Sequence, residues 1–229
     1  MELKIKPRNN NESTRAYVYD VLSDNIINLD LEPGCVVSEK EIADLLNVSR
    51  TPVREAFIQL SQEELVETYP QRGTYVSLID MELVEESRFM RENLESAVVR
   101  LAAQDFPQEL LFELESNLNI QGLCIKEENY MQLMKYDDKF HQILFSGTKK
   151  RRVWESVQRI SAQFRRLRTF RLSVTTISEW ENTYEDHKKI LEAIRKKDPE
   201  EAERVMKAHL RKVNFYKTEL QDKYPNYFK

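Results

Sequence analysis

Three histidines, His141, His187 and His209, are all that the chain contains. Each falls on the apolar stripe of its own helical segment: His141 with Leu133, Met134, Asp137 and Leu144, His187 with Trp180, Tyr184, Ile190, Leu191 and Ile194, and His209 with Ala202, Val205, Met206, Val213 and Tyr216. Asp137 precedes His141 by one helical turn, so the two side chains can converge. A single histidine on an apolar face is more often a hydrogen-bonded core residue. Here every histidine is so placed, with an acid beside one of them. Burying a carboxylate and three imidazoles is costly for each ion unless something compensates. A divalent cation would compensate all four, taking neutral imidazole nitrogens and one carboxylate oxygen. Asp137, His141, His187 and His209 are therefore the expected ligands of one metal ion per chain. The nitrogen-rich set suits Zn2+ or Ni2+, and Asp137 also admits Mn2+.

A second constellation lies near the N-terminus. Arg50 and Arg54 are four residues apart and project from one face of a helix, with Thr51 beside them. Arginine can bond bidentately to guanine or fork onto phosphate, and threonine can meet a phosphate or a thymine methyl. Arg72-Gly73 sits between two strand-forming runs, where a guanidinium could enter a minor groove close to the backbone. Any one of these arginines alone would read as a solvated surface residue. Their combination with the local helix and turn signals reads as DNA contact.

Those signals define the elements that position both constellations. Apolar spacing predicts a helix over 13–28, ended by Leu31-Glu32-Pro33-Gly34. Ser38 with Glu41 forms a capping-box signal for a short helix to Leu46. Asn47-Val48-Ser49 makes a turn, and Ser49 with Pro52 opens a second helix to about residue 63. Val66 and Tyr69, then Thr74, Tyr75 and Val76, flank Pro70-Gln71-Arg72-Gly73 as a hairpin. Two helices joined by a tight turn and followed by a hairpin are the order of a winged helix-turn-helix, whose second helix enters the major groove. Asp80 caps the next helical segment, and helices are expected over 80–103, 108–123, 128–146, 149–172, 177–196 and 199–222. The expected fold is thus mainly α: a winged helix-turn-helix in residues 1–79 and an all-α helical-bundle ligand-binding and dimerisation domain in 80–229.

Composition sets limits. With 229 residues, 41% of them hydrophobic, the chain can bury two modest cores. The net charge is −4, and residues 1–80 hold eight Lys+Arg against fourteen Asp+Glu, so no global basic surface exists and DNA binding must be local. Cys35 and Cys124 lack metal-site spacing and read as reduced thiols. No membrane span or signal-peptide core is visible, which points to the cytoplasm. The Arg165, Arg166, Arg168 and Arg171 cluster reads as a solvated helix face, one member of which could meet an anionic ligand.

The run from Ser38 to Ala56, with Ser49-Arg50-Thr51-Pro52-Val53-Arg54-Glu55-Ala56 at its heart, followed by Arg72-Gly73-Thr74-Tyr75-Val76, resembles the GntR family of bacterial regulators. Within it the chain is similar to the FadR-type subgroup with an all-helical FCD ligand domain. The resemblance spans essentially the whole chain and implies that Lys40, Arg50, Thr51, Arg54 and Gly73 contact DNA. Glu64 departs from it, standing where the family usually has glycine. Asp137-Asp138-Lys139-Phe140-His141, Glu185-Asp186-His187 and Met206-Lys207-Ala208-His209 match the subgroup's metal motifs, and Arg91 with Glu95 matches its R-x-x-x-E. The resemblance implies a transcriptional regulator, in the first instance a repressor. Its expected partners are double-stranded DNA with an imperfect palindrome, a second copy in a homodimer, and a small organic acid near the metal and Arg91. The main alternative, a metal-dependent hydrolase using the Asp/His set, lacks an acid at H-E-x-x-H spacing and leaves the winged module unexplained, so no enzyme is expected. A purely architectural DNA-binding protein, dimerising through its helices, is the other alternative.

Overall fold

The computed structural model describes residues 3–212 and 217–229. Val213 and Tyr216 of the expected His209 stripe lie outside them. The chain forms two compact units. The first comprises residues 1–84 together with 162–167 and 219–229, and the second comprises 85–161 and 168–218.

In the first unit, helix α1 (Thr14–Ile27) starts at Ser13, whose hydroxyl accepts from the Ala16 amide at 3.2 Å. Helices α2 (Glu39–Leu46) and α3 (Arg50–Gln62) are joined through Asn47, held in the left-handed region at φ 52°. Asparagine enters that region more readily than most residues. The Ser38 hydroxyl caps α2 through the Glu41 amide. Ser49 starts α3 without a side-chain cap bond. Val18, Leu22 and Ile26 of α1, Ile42 of α2, and Val53 and Leu60 of α3 close one apolar core. Their periodicity explains why all three helices turn the same faces inward.

Strands β2 (Val66–Tyr69) and β3 (Gly73–Val76) form the expected hairpin. A third strand, β1 (Val36–Val37), pairs with the other edge of β3, Val36 opposite Tyr75. Two residues are too short to show alternation, so the sequence carries no signal for it. At the end of α3, Glu64 adopts φ 57°, the conformation for which glycine is the cheaper residue. Glutamate therefore occupies the helix-ending geometry itself rather than altering it.

The second unit contains most of α4 (Met81–Gln104), then α5 (Gln108–Lys126), α6 (Tyr130–Gly147), α7 (Arg151–Ile160), the latter half of α8 (Ala162–Val174), α9 (Ile177–Arg195) and α10 (Pro199–Arg211). A further helix, α11, spans Lys217–Lys223. Helices α5, α6, α9 and α10 pack on one another around Leu114, Phe140, Ile190 and Met206. The single helix expected over 149–172 is interrupted at the buried Ser161. Ile160, the last residue before the break, is 54% exposed. The divisions between units fall after Val84, Ser161, Leu167 and Thr218, the first within α4 and the third within α8. A hydrogen-bonded helix can serve two cores in succession, and local patterning does not reveal where the chain returns.

The arginine cluster of α8 is not a solvated face. Arg166, Arg168 and Arg171 are all buried. In the first unit, Arg166 forks onto Ser77, Nη1 donating to the hydroxyl at 3.1 Å and Nη2 to the carbonyl at 2.8 Å. Gln163 donates to the Glu64 carbonyl at 2.7 Å. Burial pushes the Arg166 guanidinium down to about 10, still charged at neutral pH.

Candidate metal centre and nucleic-acid surface

Helices α6, α9 and α10 bring Asp137, His141, His187 and His209 together, one donor atom from each lying within 4.8 Å of the others. Asp137, His141 and His187 are buried, and His209 is largely so. The backs of the rings explain their orientation. Gln121 of α5 donates its amide nitrogen to Asn117 Oδ1 at 2.7 Å and to the Tyr136 carbonyl at 3.3 Å. Both can only accept in that pairing, so Gln121 Oε1 faces His187 Nδ1, 2.9 Å away, and Nδ1 carries the proton. His187 Nε2 is left as a lone-pair donor. His141 Nδ1 contacts the Glu95 carboxylate, and His209 Nδ1 lies 3.4 Å from Asp186 Oδ2. Each ring therefore turns Nδ1 toward an acceptor, and for His141 and His187 this leaves Nε2 beside Asp137, the arrangement that supports histidine ligands. Phe140 stacks on His187 with ring centroids 4.3 Å apart, fixing its plane.

The buried donors also fit an ion by their lack of other partners. His141 Nε2 and His187 Nε2 have no hydrogen bond among the described residues. Nε2 of His187 stands 3.6 Å from Asp137 Oδ1, and Nε2 of His141 stands 3.9 Å from Asp137 Oδ2. Protonation follows the same logic. Burial would raise the Asp137 carboxyl, but Arg168 and the three imidazoles hold it well below the usual carboxylate range. Burial pushes His187 well below 6.5, and the neighbouring imidazoles add to it. Burial also lowers His209, against the opposing pull of Asp186. Neutral imidazoles and an ionised carboxylate are the ligand-competent forms.

These shifts set a pH dependence for the metal-free protein. Because the folded-state values lie below the unfolded 6.5, the unfolded chain binds the extra protons. Stability is thus fully present above 6.5 and falls as pH drops below it, by up to about 1.4 kcal/mol per pH unit for each histidine. Denaturant unfolding of chelator-treated protein on either side of this pH measures the slope, and a flat profile contradicts it.

Sequence reading misses Arg168, Gln121 and Asp138 as members of the centre. Arg168 Nη1 pairs with Asp137 Oδ2 at 2.7 Å, and its Nη2 with Asp138. The spacing of Arg168 in its cluster offers no means of choosing it over its neighbours. Arg91 is buried, and its Nε meets Glu95 Oε1 at 2.5 Å, placing it one ion pair behind His141.

In the first unit, Lys40, Arg50, Thr51, Arg54, Arg72 and Gly73 are all exposed. Lys40 stands in the first turn of α2, while Arg50, Thr51 and Arg54 stand in the first turns of α3. Gly73, at φ 105°, leads from the hairpin turn into β3, a backbone geometry that disfavours a side chain. Asn47 orients α3 after α2, and the Val53, Ala56 and Leu60 face anchors it, so the arginine face points outward.

A winged helix-turn-helix unit followed by an all-helical unit with a four-donor centre defines a DNA-binding transcriptional regulator. The chain belongs to the GntR family: residues 14–76 match bacterial regulatory proteins of the gntR family, and residues 86–212 match the FCD domain. It is 34% identical over 197 residues to the HTH-type transcriptional repressor RspR of Escherichia coli (strain K12), covering 86% of each chain. It is 32% identical over 204 residues to an HTH-type transcriptional regulator in an unstable DNA locus of Streptomyces ambofaciens, covering 89% of this chain and 85% of that one. Among solved structures, E. coli McbR/YncC shares the fold with a TM-score of 0.80 at 20% identity, over 92% of this chain and 99% of that one. Among the described residues, no helix is long and apolar enough to cross a membrane.

Proposed function

We propose that the protein is a dimeric repressor whose affinity for an imperfect-palindromic operator is set by a small carboxylate bound at a divalent-metal centre of Asp137, His141, His187 and His209. The convergence of four donors, three of them buried and each imidazole facing an acceptor at Nδ1, carries this reading. When bound, the ion supplies a cationic, Lewis-acidic anchor for a carboxylate. The donor set suits Zn2+ or Ni2+, with Mn2+ admitted by Asp137. Arg91, ion-paired with Glu95 behind His141, bears on the ligand through that pair. DNA is read by Arg50, Thr51 and Arg54 in the major groove and by Arg72-Gly73 from the wing, with Lys40 on phosphate. Repression is supported by the name of the Escherichia coli relative. Two-fold pairing through the helical unit doubles the bases read by one small module.

The ligand acts only through its differential affinity for the DNA-competent and incompetent states. A panel of small carboxylates, screened by thermal shift on metal-loaded protein and then by binding to the DNA upstream of its own gene, tests this. An active acid is expected to change DNA affinity by about five- to 150-fold, with the effect lost in His141→Ala. An acid effect that survives chelation of the metal sinks the reading.

A further inference from the structure

Asp137 presents its two oxygens differently. Oδ1 lies 3.6 Å from His187 Nε2, whereas Oδ2, 3.9 Å from His141 Nε2, makes no hydrogen bond among the described residues but is ion-paired with Arg168 Nη1 at 2.7 Å. The other arm of the guanidinium holds Asp138, the next residue on α6. Consecutive residues leave a helix about 100° apart, and a planar, five-donor fork can bridge two carboxylates so placed. Arg168 is only 7% exposed. Pulling Oδ2 away would leave a buried charge partly uncompensated, which is strongly unfavourable.

We propose that Arg168 is a positioning residue that restricts Asp137 to ligation through one oxygen, so that a position on the metal stays available to an exogenous carboxylate. This rests on the reading of the centre as a metal site. Both Asp137 oxygens lie near an imidazole Nε2, so a carboxylate free of Arg168 can chelate the ion with both and fill that position itself. With Oδ2 committed to the guanidinium, Oδ1 alone serves the ion. Arg168 thereby separates two properties that a bare Asp/His set would combine: holding the metal and leaving it open to an anion. Asp138 is part of the device, because it fixes the second arm of the fork.

The test uses full-length protein loaded with Co2+, whose visible absorption reports coordination number, and acetate as the probe. In the wild type, acetate should change the spectrum saturably. In Arg168→Gln, Co2+ should still bind, with a spectrum altered before acetate is added. Its acetate affinity should fall by about 10- to 100-fold, the range seen when a ligand's supporting partner is removed. Arg168→Lys keeps the charge but not the fork and should show the same loss; it replaces Arg168→Gln if that variant fails to fold by circular dichroism. Variants with wild-type spectra and wild-type acetate affinity overturn the proposal while leaving the metal centre intact. A wild type that binds Co2+ but shows no acetate response also overturns it. A wild type that takes up no Co2+ overturns the metal reading and this proposal together.

Discussion

His187→Ala is expected to abolish stoichiometric metal binding and with it the metal-dependent part of the protein's stability. His187 is fully buried, is fixed by Gln121 and Phe140, and contributes the Nε2 nearest to Asp137 Oδ1. A metal that binds only the folded state stabilises it by about 4 kcal/mol when present at a thousand times its dissociation constant. Truncating the ring also has a metal-independent cost, because it leaves a void beside Phe140 and removes the donor to Gln121 Oε1. The two contributions separate experimentally. Chelated wild type and chelated variant differ only by the packing cost, whereas added Zn2+ or Ni2+ should raise the midpoint of the wild type alone. Elemental analysis should find about one ion per wild-type chain and none in the variant, as the one four-donor cluster among the described residues requires. An equal metal-induced shift in both proteins refutes His187 as a ligand.

The second large effect is on DNA. Arg50→Ala and Arg54→Ala should each weaken specific operator binding by about 1–3 kcal/mol, the worth of a bidentate base contact. Both side chains are exposed on one face of α3, and neither makes an ion pair or hydrogen bond among the described residues, so truncation leaves the fold undisturbed. Lys40→Ala should instead weaken all sequences alike and lower the salt slope by about one. Fluorescence anisotropy on operator and scrambled duplexes at several salt concentrations distinguishes the two patterns. Wild-type operator affinity in either arginine variant rules out α3 as the recognition helix.

The features legible in the sequence were those that depend on neighbours along the chain. Ser38 before α2, Asn47 in its left-handed turn, and the strand formers around Pro70–Gly73 each act through bonds spanning a few residues, so their types and spacing sufficed. The same holds for the faces of Asp137, His141, His187 and His209, because helical periodicity alone shows which side chains turn inward. Tertiary structure alone decided that these faces meet, and which groups stand behind them. Gln121, which fixes the His187 tautomer, is 66 residues away along the chain. Arg168 lies among similar arginines of α8, of which Arg166 holds Ser77 in one unit and Arg168 holds Asp137 in the other. An arginine's side chain gives no local sign of its partner: the same residue is solvated on a free surface and becomes a buried counter-ion where the chain returns to a carboxylate. That return is set by the summed packing of all the helices and by the break at Ser161, and neither is written in the spacing of any one segment.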